Sequence, residues 1–468
     1  MSQGNLITQL PLSRREMLRR MTVGFGQIAL AGTLAEQAAA TDSDLLSPSP
    51  SHFAPKARRV VMLFLNGGPS HIDLWDWKPV LARRSGEPMP FDLPENDMTF
   101  GVKGARLLGP ISKYRPRGQS GIRLSDLMPE LHACADELCF LNGMHADNSA
   151  HQPARRQVFT GVTLLGKPSF GSWVSYGLGT ENRNLPSFVA LRGAKFERAS
   201  AFLPAAHHGI ALSTGSRPIK HLVDSSMSKP EKRAQLDFIQ SLNRAASVQT
   251  QDREMEGMIR SMELAFRMQV DAANLADLSG ETEATKRLYG LEDSATKTAG
   301  RQCILTRRCL EAGIRFLSVT LSSWDHHGDI LKNHPTSCRS VDRPIAALIK
   351  DLKSRGLLED TLIVCLGEFG RTPYWQDDPR IGRMPGREHN RYGFSAWLAG
   401  GGIKPGFVHG ATDEFGGTAV DGKVHMHDLH ATILHQLGLD HEKLTYRHAG
   451  RNFRLTDVYG EVVHEILG

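Results

Sequence analysis

Thr361-Leu362-Ile363-Val364-Cys365-Leu366 runs directly into Gly367-Glu368-Phe369-Gly370-Arg371-Thr372. The first six residues are uncharged and largely aliphatic, with no polar alternation, so they predict a strand buried on both faces. Strands of that kind belong to parallel-rich sheets covered by helices on either side. Charge appears only where the strand stops. In open α/β sheets, ligands bind in the crevice beyond the carboxyl ends of the strands. Glu368 and Arg371 therefore fall where a site is expected.

Other segments repeat the arrangement. Arg59 to Leu65 ends in Asn66-Gly67-Gly68-Pro69, with Ser70-His71-Ile72-Asp73 close behind. Ile314 to Leu321 is followed by Trp324-Asp325-His326-His327-Gly328-Asp329, and Gly386-Arg387-Glu388-His389 precedes the strand-like run Phe394 to Leu398. Carboxylates and imidazoles at strand ends supply the donors of a metal centre. Asp325, with His327 or His326, is expected to supply ligands after one strand, Glu368 after the next, and His389 from the following loop. Asn66 offers a weaker, neutral amide oxygen, which His71 and Asp73 could supplement. The implied cofactor is a divalent metal: zinc, calcium or manganese. Trp324 and Trp397 read as core or rim packing, and His430 as structural or exposed.

The rest of the chain alternates strand and helix. Asp126 to Ala135 reads as a helix capped by Ser125, Leu138 to Leu141 and Ser187 to Leu191 as strands, and Gln302 to Ala312 as a helix. Val341, Ile345, Leu348, Ile349 and Leu352 mark one face of a helix that stops at Gly356, and Asp428 to Leu437 forms the last helix. Lys229 to Arg267 is helical and strongly charged; continuing to Thr298, it reads as a helical insertion at about 229–298. The expected fold is α/β: a mostly parallel sheet with helices on both faces, interrupted by that insertion.

The amino terminus carries Ser13-Arg14-Arg15-Glu16-Met17-Leu18, a glycine-broken apolar stretch from Met21 to Leu34, and Ala38-Ala39-Ala40. This pattern reads as a twin-arginine export signal over 1–40, too short and glycine-rich for a stable membrane span. It places the remaining domain, 41–468, in the periplasm or outside the cell and makes the twin-arginine translocation machinery a partner. The formal net charge of +6 falls once the signal's arginines are removed, and no basic stripe with interleaved aromatics appears, so no nucleic-acid partner is expected. Of the six cysteines, Cys365 reads as a packed thiol, while spacing leaves Cys303–Cys309 and Cys134–Cys139 open as disulfide pairs.

Asn66 to Asp73, Gly367 to Pro373 and Asp428 to Leu434 resemble the motifs of a bacterial family called domain of unknown function 1501, over nearly all of the chain after residue 40. That family is similar to the alkaline-phosphatase and sulfatase superfamily. The resemblance therefore implies an alkaline-phosphatase-like core that bears metal, and says less about activity, because one fold hosts many functions. Superfamily members usually carry an acid where Asn66 stands, a departure that counts against a second metal site.

His151-Gln152-Pro153-Ala154-Arg155, with Thr160-Gly161 after it, is similar to the sulfatase signature C-x-P-x-R followed by T-G. Proline, arginine and the Thr-Gly pair match; His151 stands where the cysteine would be, so formylglycine chemistry is out of reach. The catalytic candidates are His151, as nucleophile, ligand or base; Ser149, as an alkoxide or a plain cap; and Arg155 and Arg371, whose guanidinium forks suit a tetrahedral oxyanion. A metal-activated water is the third choice of nucleophile. The resulting expectation is an exported metal-dependent hydrolase of phosphate or sulfate esters, acting on a small-molecule or polysaccharide substrate. The competing one is a non-catalytic envelope protein of the same fold that binds a glycan or protein partner.

Overall fold

The computed structural model describes residues 46–90, 105–182, 184–214, 229–250, 263, 266, 274–321, 323–375 and 385–468. The expected export signal at 1–40 lies outside them. The central sheet is built from β1 (Arg59–Leu65), β2 (Leu138–His145), β3 (Phe188–Leu191), β4 (Ile210–Leu212), β5 (Phe316–Leu321), β6 (Thr361–Leu366), β7 (Phe394–Ala399), β8 (Phe407–His409) and β9 (Val424–His425). Its nine strands run in the order β8-β2-β7-β6-β1-β5-β3-β4, with β9 also paired to β2. All pairings are parallel except those of β7, which runs against both β2 and β6.

That topology decides where the polar segments meet. β1, β2, β5 and β6 point the same way, so Asn66, the residues after His145, Asp325 and Glu368 leave the sheet at one end. Reversed β7 starts at that end, which returns the preceding segment, including His389, to the same place. β6 is buried along its whole length, as its uncharged sequence requires. Val60, Met62 and Phe64 of β1 share a core with residues of α1 (His151–Thr160), α2 (Phe170–Leu178) and, late in the chain, the helix Met426–Gln436. The alternate residues Val61, Leu63 and Leu65 are equally buried, so the second face is covered too. There the helix Lys297–Glu311 lies against β5 and against the long helix Ile330–Ser354. Each fully buried aliphatic side chain contributes roughly 1.5–3 kcal/mol.

One expectation needs correction, and one open question closes. The helix expected over Asp126 to Ala135 is a 3-10 helix, Leu131–Glu137, and Ser125 ends the strand Ile122–Ser125 instead of capping a helix. Its start is set from outside, because the Glu130 and Leu131 amides donate to the Asp342 carboxylate across the core. Both open disulfide pairs are free, buried thiols, as are Cys338 and Cys365. Of the insertion expected at 229–298, the described part includes the helices Lys229–Thr250 and Glu283–Leu288, and most of 251–273 lies outside the described residues. No helix among the described residues is long and apolar enough to cross a membrane.

Candidate metal centre

Four side chains converge at the carboxyl end of the sheet: His151 at the first turn of α1, Asp325 and His327 after β5, and His389 before β7. One donor atom from each lies within 4.8 Å of the others. Asp325 is the hub. Its Oδ1 is 2.8 Å from His327 Nε2 and 3.3 Å from His389 Nε2, and its Oδ2 is 3.3 Å from His151 Nε2. Glycines allow this close approach. Gly67 has a φ of 113°, and a Cβ there would meet the Asp325 amide nitrogen at 2.6 Å. A Cβ on Gly386 would lie 2.1 Å from the His327 carbonyl carbon.

Each imidazole is held from behind through Nδ1. His151 Nδ1 donates to Glu368 Oε1 at 2.7 Å, His327 Nδ1 to Glu388 Oε1 at 2.9 Å, and His389 Nδ1 to the Ser149 carbonyl at 2.7 Å. An acceptor behind each ring fixes the tautomer and leaves Nε2 facing the shared centre, the arrangement that orients metal-binding histidines. His151 Nε2 is buried, and the Asp325 carboxylate at 3.3 Å is the group it faces. Glu368 is itself pinned by the Gly67 amide, 3.0 Å from both carboxylate oxygens. Burial would lower the pKa of His151, yet Asp325 and Glu368 push it up to about 9. Asp325 and Glu388 raise His327 to about 9, whereas burial lowers His389. For Asp325, burial is outweighed by hydrogen bonds from the three imidazoles and by the Arg371 charge, which hold its carboxyl far below the usual range. With His151 and His327 protonated, three carboxylates face three cations; loss of those two protons leaves negative charge that a bound cation would balance.

The other expected site residues lie elsewhere. Glu368 sits behind His151 and takes no place in the quartet. His326 turns away, with Nδ1 3.1 Å from His334 Nδ1, and burial lowers its pKa to about 4. His71 is fully buried against the Gly416 carbonyl at 2.9 Å, and its pKa falls to about 3 through that burial. Asp73 forms a two-pronged ion pair with Arg387, neither side chain reaching solvent. Asn66 Oδ1 accepts from Arg155 Nη1 at 2.8 Å, and Arg155 also grips the buried carboxylate of Glu197. Arg371 bonds Asp325 and the carbonyls of Gly67, Gly68 and Arg387, so it braces the site from within. Ser149 Oγ is buried without a partner.

Sequence reasoning missed Glu388, Glu197 and the ring of Phe369, which tilts over His389 with centroids 4.4 Å apart. Glu388 stood inside a motif already singled out and could have been found there. Glu197 follows an unremarkable strand and carried no signal.

Residues 57–467 match the family described as Protein of unknown function (DUF1501). No curated protein matches the chain by sequence. Among solved structures, the chain is similar to the lipoteichoic acid synthase LtaP from Listeria monocytogenes, at 12% identity and a TM-score of 0.37, covering 90% of this chain and 80% of that one. It is also similar to the PsFucS1 sulfatase from Pseudoalteromonas sp., at 14% identity and a TM-score of 0.37, covering 82% of this chain and 68% of that one. A third is a protein in the alkaline phosphatase superfamily from Vibrio parahaemolyticus, at 10% identity and a TM-score of 0.33, covering 85% and 70%.

Proposed function

We propose that this chain, which belongs to the DUF1501 family, is an exported metal-dependent hydrolase of phosphate or sulfate esters. One observation carries the reading: three imidazoles, each anchored through Nδ1, turn Nε2 toward one carboxylate. His151, Asp325, His327 and His389 would hold the ion. Three nitrogens and one carboxylate suit zinc or manganese, whereas calcium takes about six to eight oxygen ligands. A divalent ion there would supply Lewis acidity toward the anionic oxygens of an ester. Glu368, Glu388 and the Ser149 carbonyl keep the rings oriented, and Arg371 keeps Asp325 in place. Arg155 lies one helical turn beyond His151, and its N–H groups not bonded to Glu197 and Asn66 are available to a tetrahedral oxyanion.

Protein purified without chelator should contain about one equivalent of zinc or manganese by elemental analysis. It should hydrolyse some member of a panel of aryl phosphates, phosphodiesters and sulfates. His151→Ala is expected to lose both metal and turnover. Ser149→Ala is expected to keep its metal and lose about a thousandfold or more in rate if the orphaned hydroxyl attacks. Undiminished turnover in Ser149→Ala would hand the attack to water.

A second reading has its own observation. Arg155 is locked between Glu197 and Asn66, the pairing expected of a bracing arginine in a non-catalytic envelope protein that binds a glycan or protein. A metal-loaded protein inert toward the whole panel would select it. Export belongs to the proposal too. Replacing Arg14 and Arg15 by lysine should leave folded precursor in the cytoplasm, visible by fractionation, and normal export of that variant would exclude the twin-arginine route.

A further inference from the structure

The helix that begins with His151 ends at Thr160, and a loop leaves it carrying Leu164 and Leu165, which are 70% and 66% exposed. The loop tip stands clear of the protein, since a Cβ on Gly166 would meet nothing within 4 Å. A second loop carries Val458 and Tyr459, 66% and 61% exposed. The two loops are neighbours. His427 Nε2 donates to the Gly161 carbonyl at 2.5 Å, and the His427 ring stacks on Tyr459 with centroids 5.4 Å apart. Four of the most exposed large apolar side chains among the described residues thus occupy adjacent loop tips instead of one flat face.

Asp457 and Glu461 bracket the second loop, with Asp457 paired to Arg451, and the rest of the surroundings is basic. Residues 148–180 and 443–456 contain no Asp or Glu but include Arg156, Lys167, Lys443, Arg447, Arg451 and Arg454. The second segment forms a hairpin, Tyr446–His448 paired with Arg451–Phe453. Lys167 Nζ sits 3.9 Å from the centroid of the Phe453 ring, which ties the hairpin to the leucine loop. Arg451, Arg454 and Lys443 have carboxylate partners, whereas Arg156, Lys167 and Arg447 have none among the described residues. Apolar tips with a tyrosine, flanked by uncompensated cations, are the composition that inserts shallowly into the headgroup region of a membrane.

We infer that these two loops dock the protein on an anionic phospholipid surface. The helix joining this patch to His151 has 10 residues, which places the candidate site about 15 Å along it. Docking does not depend on the metal reading, and the two fail separately.

Co-sedimentation of the full chain with vesicles tests it. Vesicles of phosphatidylglycerol and phosphatidylethanolamine should retain the protein, and phosphatidylcholine vesicles should retain much less. The combined Leu164→Ser, Leu165→Ser and Tyr459→Ser variant should lose roughly tenfold or more in partitioning, since three apolar contacts are removed. Lys167→Glu with Arg447→Glu should reduce binding by about fivefold or more per cation, and most strongly at low salt. Both variants should keep the metal content of the unaltered protein, with at most a small fall in melting temperature where Lys167 leaves the Phe453 ring and Tyr459 leaves His427. Absence of vesicle binding, or binding that the triple variant leaves unchanged, would overturn the proposal. So would a concentration-dependent dimer that the triple variant dissolves, which would assign the patch to a second copy of the chain.

Discussion

His327→Ala and Asp325→Ala proteins are expected to retain less than about a tenth of the bound metal, because each loses one of four convergent donors. His327 is the cleaner probe. Its side chain is 32% exposed and adds little to the core, so the fold should survive its removal. Asp325 does two jobs. It faces the three Nε2 atoms and also neutralises Arg371, whose side chain is only 1% exposed. Asp325→Ala should therefore cost stability as well, about 1–3 kcal/mol, a range lowered for the partial exposure of the carboxylate. Elemental analysis after dialysis, paired with urea denaturation, separates the two effects. Full metal occupancy in both variants would remove the centre described here.

The second large effect is structural. Asp73 and Arg387 are both wholly buried, and the guanidinium also donates to the carbonyls of Leu108, Gly109 and Thr372. Truncating Asp73 to alanine strands that charge in the interior, a loss of about 3–5 kcal/mol. The midpoint of urea unfolding should fall with little change in slope. Metal content should stay at the unaltered level, because Asp73 points at Arg387 and away from the quartet. The reverse pattern, stability kept and metal lost, would return Asp73 to the ligand set and displace the present assignment.

These two outcomes bear on what the chain's order makes legible. Asp73 and Asp325 look alike in sequence: each is a carboxylate a few residues past a buried strand, near a histidine. The structure gives one to a buried arginine and the other to three imidazoles. His326 and His327 are a sharper case. They are adjacent, and one faces the centre while the other faces His334. Residue type and position after a strand are identical for both, so only the direction of the loop separates them.

The strands and their order of burial were written in local pattern. An uncharged run such as Thr361–Leu366 has few ways to satisfy its backbone and hide its side chains besides a central strand, and the polar residues that follow must then emerge at the sheet's end. Asp325, His327 and His389 were singled out on that basis, and His151 from its resemblance to the sulfatase signature. Their division of labour was not. Glu368 became the anchor of His151, Glu388 the anchor of His327, and Glu197 the partner of Arg155 through contacts between segments far apart in the chain. The Gly67 amide and the Glu368 carboxylate that it fixes are separated by 301 residues. Periodicity and spacing report the environment of a residue over a few turns or one strand. Which partner a buried charge finds depends on how the parallel strands stack side by side, and that choice belongs to the tertiary structure alone.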